Sequence, residues 1–212
     1  MKNYFALLLF ILVFLGCNYS DSNKKDSPNS KITDSLSNSL NPIEKREKDH
    51  ALNIENPGEF ISEIDYQLVA RKEDADIFKD GIEPWISLES PQKDLPRLKN
   101  ANEVVLSCDS ASVIIDYPIR DYVIFVIRGR KNFSRKDLVL EISKIYHQMY
   151  VDEENSATIK TLPMKDRKIM NRNETDGKYG IWGHDLSDLV LTSIKIFKNT
   201  NGQIYLTLDI DS

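Results

Sequence analysis

The sequence predicts an α+β fold in which one long helix packs on a mainly antiparallel sheet that ends in a C-terminal β-hairpin. Three observations lead to this prediction. Residues 134–153 carry one apolar stripe with helical spacing, residues 112–116 and 122–128 form two apolar runs, and residues 190–210 alternate around an Asn-Gly turn. No internal repeat is present, so we expect one domain.

The predicted helix begins at Ser134, a favourable N-cap residue, and Asp137 three positions on completes a capping box. Phe133 and Leu138 occupy the two positions of a hydrophobic staple. An apolar stripe then recurs every three or four residues, at Leu138, Ile142, Ile145 and Met149. We expect the helix to end at about Glu153.

Residues 122–128 are apolar without alternation, which favours a central strand covered on both faces. Residues 112–116 precede them, and the short connection between the two runs predicts an antiparallel hairpin. Further strands are predicted over residues 103–108 and, from weaker patterns, near residues 60–70 and 85–89.

The C-terminal hairpin is the clearest β prediction. On its first strand Val190, Ile194 and Ile196 are expected to share the inner face, and residues 199–202 contain the turn. The second strand alternates, which places four apolar residues inward: Ile204, Leu206, Leu208 and Ile210.

At the N-terminus, Lys2 precedes an apolar run over residues 4–15, and Gly16 and Cys17 follow. This segment resembles the signal of a bacterial lipoprotein. The resemblance implies cleavage after Gly16, a lipid on Cys17, and anchoring to a membrane on the extracytoplasmic side of the cell envelope. Ordinary secretion, with Cys17 lying by chance beyond the cleavage site, is the alternative.

The chain therefore divides into a signal peptide (residues 1–16), a disordered polar tether (residues 17–55) and one α+β domain (residues 56–212). The tether is rich in Asn, Ser, Asp and Lys. Its few apolar residues cannot offset the conformational entropy that would be lost on ordering it. A helix over residues 4–15 would span only about 18 Å, which is too short for a permanent membrane span.

The formal net charge of −5 disfavours nucleic acid as a partner, because such binding depends on neutralising phosphates. If Cys17 carries a lipid, Cys108 is the one remaining thiol, and no intramolecular disulfide can form. Cys108 is also the one possible thiol nucleophile, with His184 as its conceivable partner. A buried cysteine, however, usually behaves as a small hydrophobic residue.

Motifs of common enzymes and metal sites do not occur. The sequence has no HExxH, no CxxC pair, no GxSxG and no P-loop. Gly177, Gly180 and Gly183 lack the spacing of a dinucleotide fingerprint, and residues 171–177 lack the closing glutamate of a calcium loop. We therefore predict neither a cofactor nor a metal.

The segment 173–188 concentrates glycine, aromatic and acidic residues, and five of them form the candidate functional loop: Tyr179, Trp182, His184, Asp185 and Asp188. In the functional interpretation, His184 is a general base or metal ligand oriented by Asp185 or Asp188, and the two aromatic side chains line a ligand pocket. In the structural interpretation, Trp182 anchors the loop on the core, His184 binds a backbone carbonyl, and Asp185 caps a short helix.

A basic cluster surrounds the start of the long helix, while Asp152, Glu153 and Glu154 lie at its end, and both groups oppose the helix dipole. The basic cluster is a candidate anion site, formed by Arg128, Arg130, Lys131, Arg135 and Lys136. Its ligand would be a phosphate, an acidic lipid headgroup or an acidic protein surface. Solvated, screened side chains are the alternative.

These features favour a lipid-anchored envelope protein that acts as a non-catalytic binding module. Its expected partners are the membrane, through the N-terminal lipid, and another envelope or secreted protein. Two alternatives stay open: a membrane-tethered hydrolase or metal-dependent enzyme that uses the 173–188 loop, and a binder of an anion or small ligand at the basic cluster.

Overall fold

The computed structural model describes residues 57–129 and 131–212. The predicted signal peptide, the predicted tether, the lipidation site Cys17 and the basic residue Arg130 therefore lie outside the described residues. Within the described part, the fold is α+β, as predicted. No helix in these two ranges combines the length and apolar character needed to cross a bilayer.

The described residues form ten strands, two α-helices and four short 3₁₀ turns. The strands are β1 (Glu59–Asp65), β2 (Leu68–Val69), β3 (Ile82–Glu83), β4 (Ile86–Ser87), β5 (Val104–Leu106), β6 (Ser110–Ile115), β7 (Val123–Arg128), β8 (Phe133–Ser134), β9 (Val190–Lys198) and β10 (Ile204–Asp211). The helices are α1 (Pro91–Asp94) and α2 (Arg135–Ser156).

The main sheet has the strand order β1-β9-β10-β6-β7, and β4 pairs with β9 beyond the end of β1. All of its pairings are antiparallel except that of β10 with β6. The mainly antiparallel sheet and the C-terminal hairpin, β9 with β10, are thus confirmed. Two small two-stranded sheets, β2 with β3 and β5 with β8, complete the β structure of the described residues.

In the hairpin, Ile194 pairs with Leu208, and all four predicted inward residues of β10 are at least partly buried. Val190 was expected on the inner face, but Leu191 takes that position and is fully buried. The reason is an irregularity of register between Asp209 and Ile210. An extra residue on β9 reverses the alternation of faces beyond it.

Helix α2 has the predicted N-terminus. The backbone N–H of Asp137 donates to Ser134 Oγ at 3.3 Å, and the N–H of Ser134 donates to Asp137 Oδ2 at 3.0 Å, which completes the capping box. The helix ends at Ser156, three residues beyond the predicted Glu153. Its apolar face joins the core under the sheet through Leu138, Val139, Ile142, Tyr146 and Met149.

The prediction of a central strand at residues 122–128 is wrong. Strand β7 lies at one end of the sheet, and β6 takes the enclosed position, where Val113 and Ile115 are fully buried. On β7, Ile124 and Val126 are 46% and 52% exposed. An apolar run without alternation cannot distinguish an enclosed strand from an edge strand whose outer face stays apolar.

Candidate functional site at the end of the long helix

The candidate functional loop, residues 173–188, is held against the end of α2 by Glu153. This side chain is fully buried, and its carboxylate accepts hydrogen bonds from one hydroxyl and four backbone N–H groups. The donors are Thr175 Oγ1 at 2.6 Å, Gly177 N at 2.9 Å, Tyr179 N at 2.7 Å, Gly180 N at 3.1 Å and Ile181 N at 3.4 Å. The loop therefore winds around a single carboxylate.

Burial by itself raises the pKa of Glu153, but the hydrogen bonds from Thr175 and from the loop backbone outweigh it and hold the pKa below its ordinary value. Glu153 is thus ionised at neutral pH. These donors also explain why an acid is tolerated in the last turn of a helix, where the dipole disfavours it. The loop supplies the N–H groups that this charge requires.

Trp182 and Tyr179, which the functional interpretation placed in the lining of a ligand pocket, lie in the interior, and the structural interpretation expected this for Trp182. Trp182 is 2% exposed, and its indole Nε1 donates to the carbonyl of Ile119 at 3.1 Å. Its backbone N–H donates to the carbonyl of Pro118 at 3.1 Å. Tyr179 is 7% exposed, with its ring 6.4 Å from that of Phe125. Trp182 therefore holds the loop to the connection between β6 and β7, and Tyr179 packs toward β7 itself.

His184 is 8% exposed and lies in an aromatic cluster. Its ring centroid is 5.4 Å from that of Tyr117 and 6.2 Å from that of Trp182. Its backbone carbonyl accepts a hydrogen bond of 2.9 Å from the hydroxyl of Tyr150 on α2. The main chain at His184 is thus held by the helix, and its ring packs edge-on against the loop's tryptophan.

Asp185 takes part in three structural interactions, one of which is an ion pair with Arg172 Nη1 at 3.9 Å. Its carboxylate accepts two hydrogen bonds from Arg167, at 2.6 Å and 3.1 Å. It also forms a reciprocal capping box with Asp188 at the short 3₁₀ turn Leu186–Asp188, as the structural interpretation expected. These contacts make Asp185 a structural residue of the loop.

His184 and Asp188 do meet at one place, an open cleft of about 400 Å³. The rest of its lining comes from Met164, Met170, Asn171 and Ser212. Two of the five candidate residues therefore share a cleft, and the buried Trp182 packs against the ring of His184. Among the described residues, no three His, Cys, Asp or Glu side chains come together as a metal site would require.

Two arginines support this region, and sequence reasoning missed both. Arg167 binds Asp185, and Arg172 lies with its guanidinium carbon 5.1 Å from the ring centroid of Tyr150. Arg172 is 6% exposed, and its Nε and Nη2 have no hydrogen-bond partner within the described ranges. No spacing rule links these arginines or Glu153 to the loop, so their roles had no sequence signal.

Of the four members of the basic cluster that the structure describes, Arg128 and Arg135 lie beside carboxylates of the protein itself. Arg135 donates to the carbonyl of Asp65 at 2.5 Å and to Glu103 at 2.9 Å. The backbone N–H groups of Arg135 and Lys136 donate to the carbonyls of Glu103 and Ala101, which lie just before β5. An anion at this helix end would therefore depend on side chains alone. Arg128 shares its cleft with two carboxylates, those of Asp137 and Glu141.

Cys108 and His184 lie at opposite ends of β6. Cys108 precedes this strand, whereas Tyr117, which contacts His184, follows it. The six residues of β6 alone span about 20 Å. Burial raises the pKa of the Cys108 thiol, which disfavours the reactive thiolate. The geometry therefore provides no cysteine–histidine pair.

The loop is thus held by many contacts, and the cleft beside it is lined by the imidazole of His184 and the carboxylate of Asp188. The described residues, however, bring no nucleophile of lowered pKa beside these two groups. The chain matches no protein-family model, no curated protein and no solved structure.

Proposed function

We propose that this protein is a lipid-anchored component of the bacterial cell envelope whose domain binds another protein and is not an enzyme. The binding surface in this proposal is the outer edge of the main sheet, formed by β7. The engagement of Trp182 and Asp185 in structural contacts supports a scaffold role for the 173–188 loop. The proposed function is therefore placed on a surface and not in that loop.

The observation that carries the proposal is the contrast between the two ends of the sheet. Strand β1 has an irregularity of register next to Ile61 and carries Glu59 and Glu63, features that protect an edge from further pairing. Strand β7 pairs regularly with β6 over six residues and is apolar from Val123 to Ile127. No strand in the described ranges pairs with its other side.

The backbone of β7 suits the addition of a strand. The N–H of Gly129 donates to the carbonyl of Asp109, and this pattern continues along the register at every second residue. The N–H and C=O groups of Ile124 and Val126 therefore point away from β6. An extended segment of a partner would bond to them, while the exposed side chains of both residues would contact its alternate side chains.

Photocrosslinking in intact cells tests this surface. A photoreactive phenylalanine analogue at Val126, which is 52% exposed, is expected to form one discrete adduct with another envelope or secreted protein. The matched control is Ile61 on β1, which is 51% exposed at the protected edge. We expect no adduct there. Ile124→Lys should abolish the adduct at position 126 because it places a charge in the new pairing.

Equal crosslinking from Val126 and Ile61, or none from Val126, would contradict a binding edge at β7. The outcome is interpretable because both positions are exposed, so neither substitution disturbs the core. Mass spectrometry of the adduct then identifies the partner and the residues that touch β7.

The lipid anchor in this proposal is supported by the N-terminal pattern that ends at Cys17. Labelled palmitate is expected to enter the wild-type protein but not the Cys17→Ala variant. Absence of label from the wild type would remove lipidation and leave ordinary secretion.

A second candidate is a tethered enzyme, and one observation favours it: His184 and Asp188 line the same open cleft. In such an enzyme the imidazole would act as a general base toward a substrate in the cleft. A substrate screen with the wild type and His184→Gln tests it. Turnover by the wild type that the variant lacks, with the fold intact, would move the function to this cleft.

A further inference from the structure

Residues 159–170 form a second unusual surface, here termed the basic-apolar loop. Five large apolar side chains in this stretch face solvent, and Met170 is the most exposed of them at 81%. The others are Ile159, Leu162, Met164 and Ile169. Apolar exposure of this density on one loop is uncommon in a protein that has no partner for it.

The loop displays these side chains while its backbone is held in place. Arg167 donates to the carbonyls of Leu162 at 2.9 Å and Met170 at 3.3 Å, and so ties the two arms of the loop together. The same guanidinium binds Asp185. Asp176 accepts from the backbone N–H of Ile159 at 2.6 Å. The apolar side chains are therefore exposed on a loop whose backbone is held by hydrogen bonds.

Charge indicates what this surface contacts. The loop carries four basic residues and one acidic residue, in a chain whose net charge is −5. Arg167 is neutralised by Asp185, whereas Lys165 and Lys168 are exposed among the apolar side chains; Lys160 is also exposed, and its Nζ donates to the carbonyl of Glu154. Lysines interleaved with aliphatic and methionine side chains are typical of segments that lie in the headgroup region of an anionic membrane.

We infer that the basic-apolar loop docks on an anionic lipid surface, with Met164, Ile169 and Met170 among the acyl chains and the three lysines at the phosphates. This inference goes beyond the proposed protein-binding edge and rests on the proposed function only in that the lipid on Cys17 keeps the loop near a membrane. The docked loop fixes the orientation of the domain and leaves β7 free for its partner.

The anchor and the loop can reach one membrane together. The chain enters β1 beside the hairpin turn, since Glu59 pairs with Lys198, whereas the cleft formed by the loop includes Ser212 at the other end of β10. The eight residues of β10 span about 27 Å. About 40 residues separate Cys17 from Gly58, and at up to about 3.3 Å per residue a chain of this length is long enough to cover this distance.

The test uses the full-length protein in vesicles with an environment-sensitive fluorophore on one introduced cysteine. The background is Cys108→Ser, and the labelled variants are Met170→Cys in the loop and Ile77→Cys as a control. Ile77 is 72% exposed but lies among Asp74, Asp76 and Asp80. The chain without an introduced cysteine serves as the blank.

In vesicles with phosphatidylglycerol, the label at position 170 is expected to shift to the blue and to be quenched by spin-labelled lipid. The label at position 77 should not respond. Replacing all three lysines with Gln should abolish the response, and vesicles of phosphatidylcholine alone should give little of it. A response at 170 no larger than at 77, or one equal in the two lipids, overturns the inference. A loop that recognises an acidic protein would give the silent result.

Flotation of the vesicles tests the lipid anchor separately from the loop, because it reports whether the protein stays attached to the membrane. If the protein floats but the label at 170 is silent, the loop inference is wrong and the anchor stands. If the protein does not float, vesicles are titrated into it directly. A saturable blue shift at position 170 still supports docking, and its absence again overturns it.

Discussion

The carboxylate of Glu153 accepts a hydrogen bond of 2.7 Å from the backbone N–H of Tyr179, across 26 residues of sequence. The same carboxylate accepts from Gly177 and Gly180. One buried charge at the end of α2 thereby sets the path of the glycine-rich loop, which in turn places Trp182 and His184. The long helix and the loop form one structural unit, joined by this carboxylate.

Replacing Glu153 with Gln is expected to destabilise the protein by about 3 kcal/mol, because the amide retains one acceptor oxygen and turns an N–H₂ group toward buried donors. At this size, that corresponds to a loss of roughly 6–12 °C in melting temperature. Glu141→Gln is the matched control, since Glu141 lies on the same helix and is partly exposed. Equal melting temperatures for the two variants would show that the loop does not depend on Glu153.

The contribution of Glu153 should also depend on pH. Its pKa is lowered in the folded protein, so its ionised form stabilises the fold above the pKa of the unfolded chain, near 4.3. This stabilisation is lost as the pH falls through the lower, folded-state pKa. Urea denaturation of the wild type and Glu153→Gln between pH 7 and pH 3 should therefore give a stability difference that narrows in acid. A difference that stays constant would mean that ionisation is not its source.

Gly177→Ala should destabilise the protein by about 1–3 kcal/mol through a steric clash. A Cβ at this position would lie 2.6 Å from the carbonyl oxygen of Glu153 and 2.7 Å from its side-chain carboxyl carbon. Gly81→Ala is a control at an open position, where no atom lies within 4 Å and the cost is that of a positive φ of 73°. Chemical denaturation measures both, and a smaller loss for Gly177→Ala than for the control would argue against close packing around the carboxylate.

Arg167→Gln should loosen the basic-apolar loop without unfolding the domain, since the substitution removes the paired hydrogen bonds to Asp185 and weakens those to the loop carbonyls. We expect trypsin to cleave after Lys165 and Lys168 at least tenfold faster than in the wild type, because local opening exposes both bonds. Arg167→Lys retains the charge but not the bidentate geometry, and an intermediate rate is expected. Wild-type cleavage rates in Arg167→Gln would show that the loop is ordered by other contacts.

Local sequence signals predicted the elements that depend on neighbouring residues. The capping box of Ser134 and Asp137 lies within four positions, and the C-terminal hairpin depends on alternation around one turn. The fold class follows from these two elements. The place of β7 could not be predicted, because the same apolar run suits an enclosed strand and an open edge. Which face stays uncovered depends on the rest of the chain.

The sequence predicted where the candidate site lies in the chain but not which residues hold it in place. The composition of residues 173–188 indicated an unusual loop, and the loop does form a separate feature at the end of α2. The role of Glu153 had no sequence signal because its carboxylate binds groups 22 to 28 residues away, and that of Arg167 had none because its partner carboxylate, Asp185, lies 18 residues away. Backbone donors have no sequence signature, so a buried acid that binds them looks like any other charge on a helix.

Whether the 173–188 loop is scaffold or site is tested most directly by the melting temperatures of His184→Ala and Asp185→Ala beside the wild type. Structural residues cost about 1–3 kcal/mol when removed, whereas residues kept for function are often neutral or stabilising to remove. We predict a drop of several degrees in both variants, since the ring of His184 packs on Trp182 and Asp185 binds Arg167. Unchanged or raised melting temperatures would contradict the scaffold role and place the function in the cleft of His184 and Asp188.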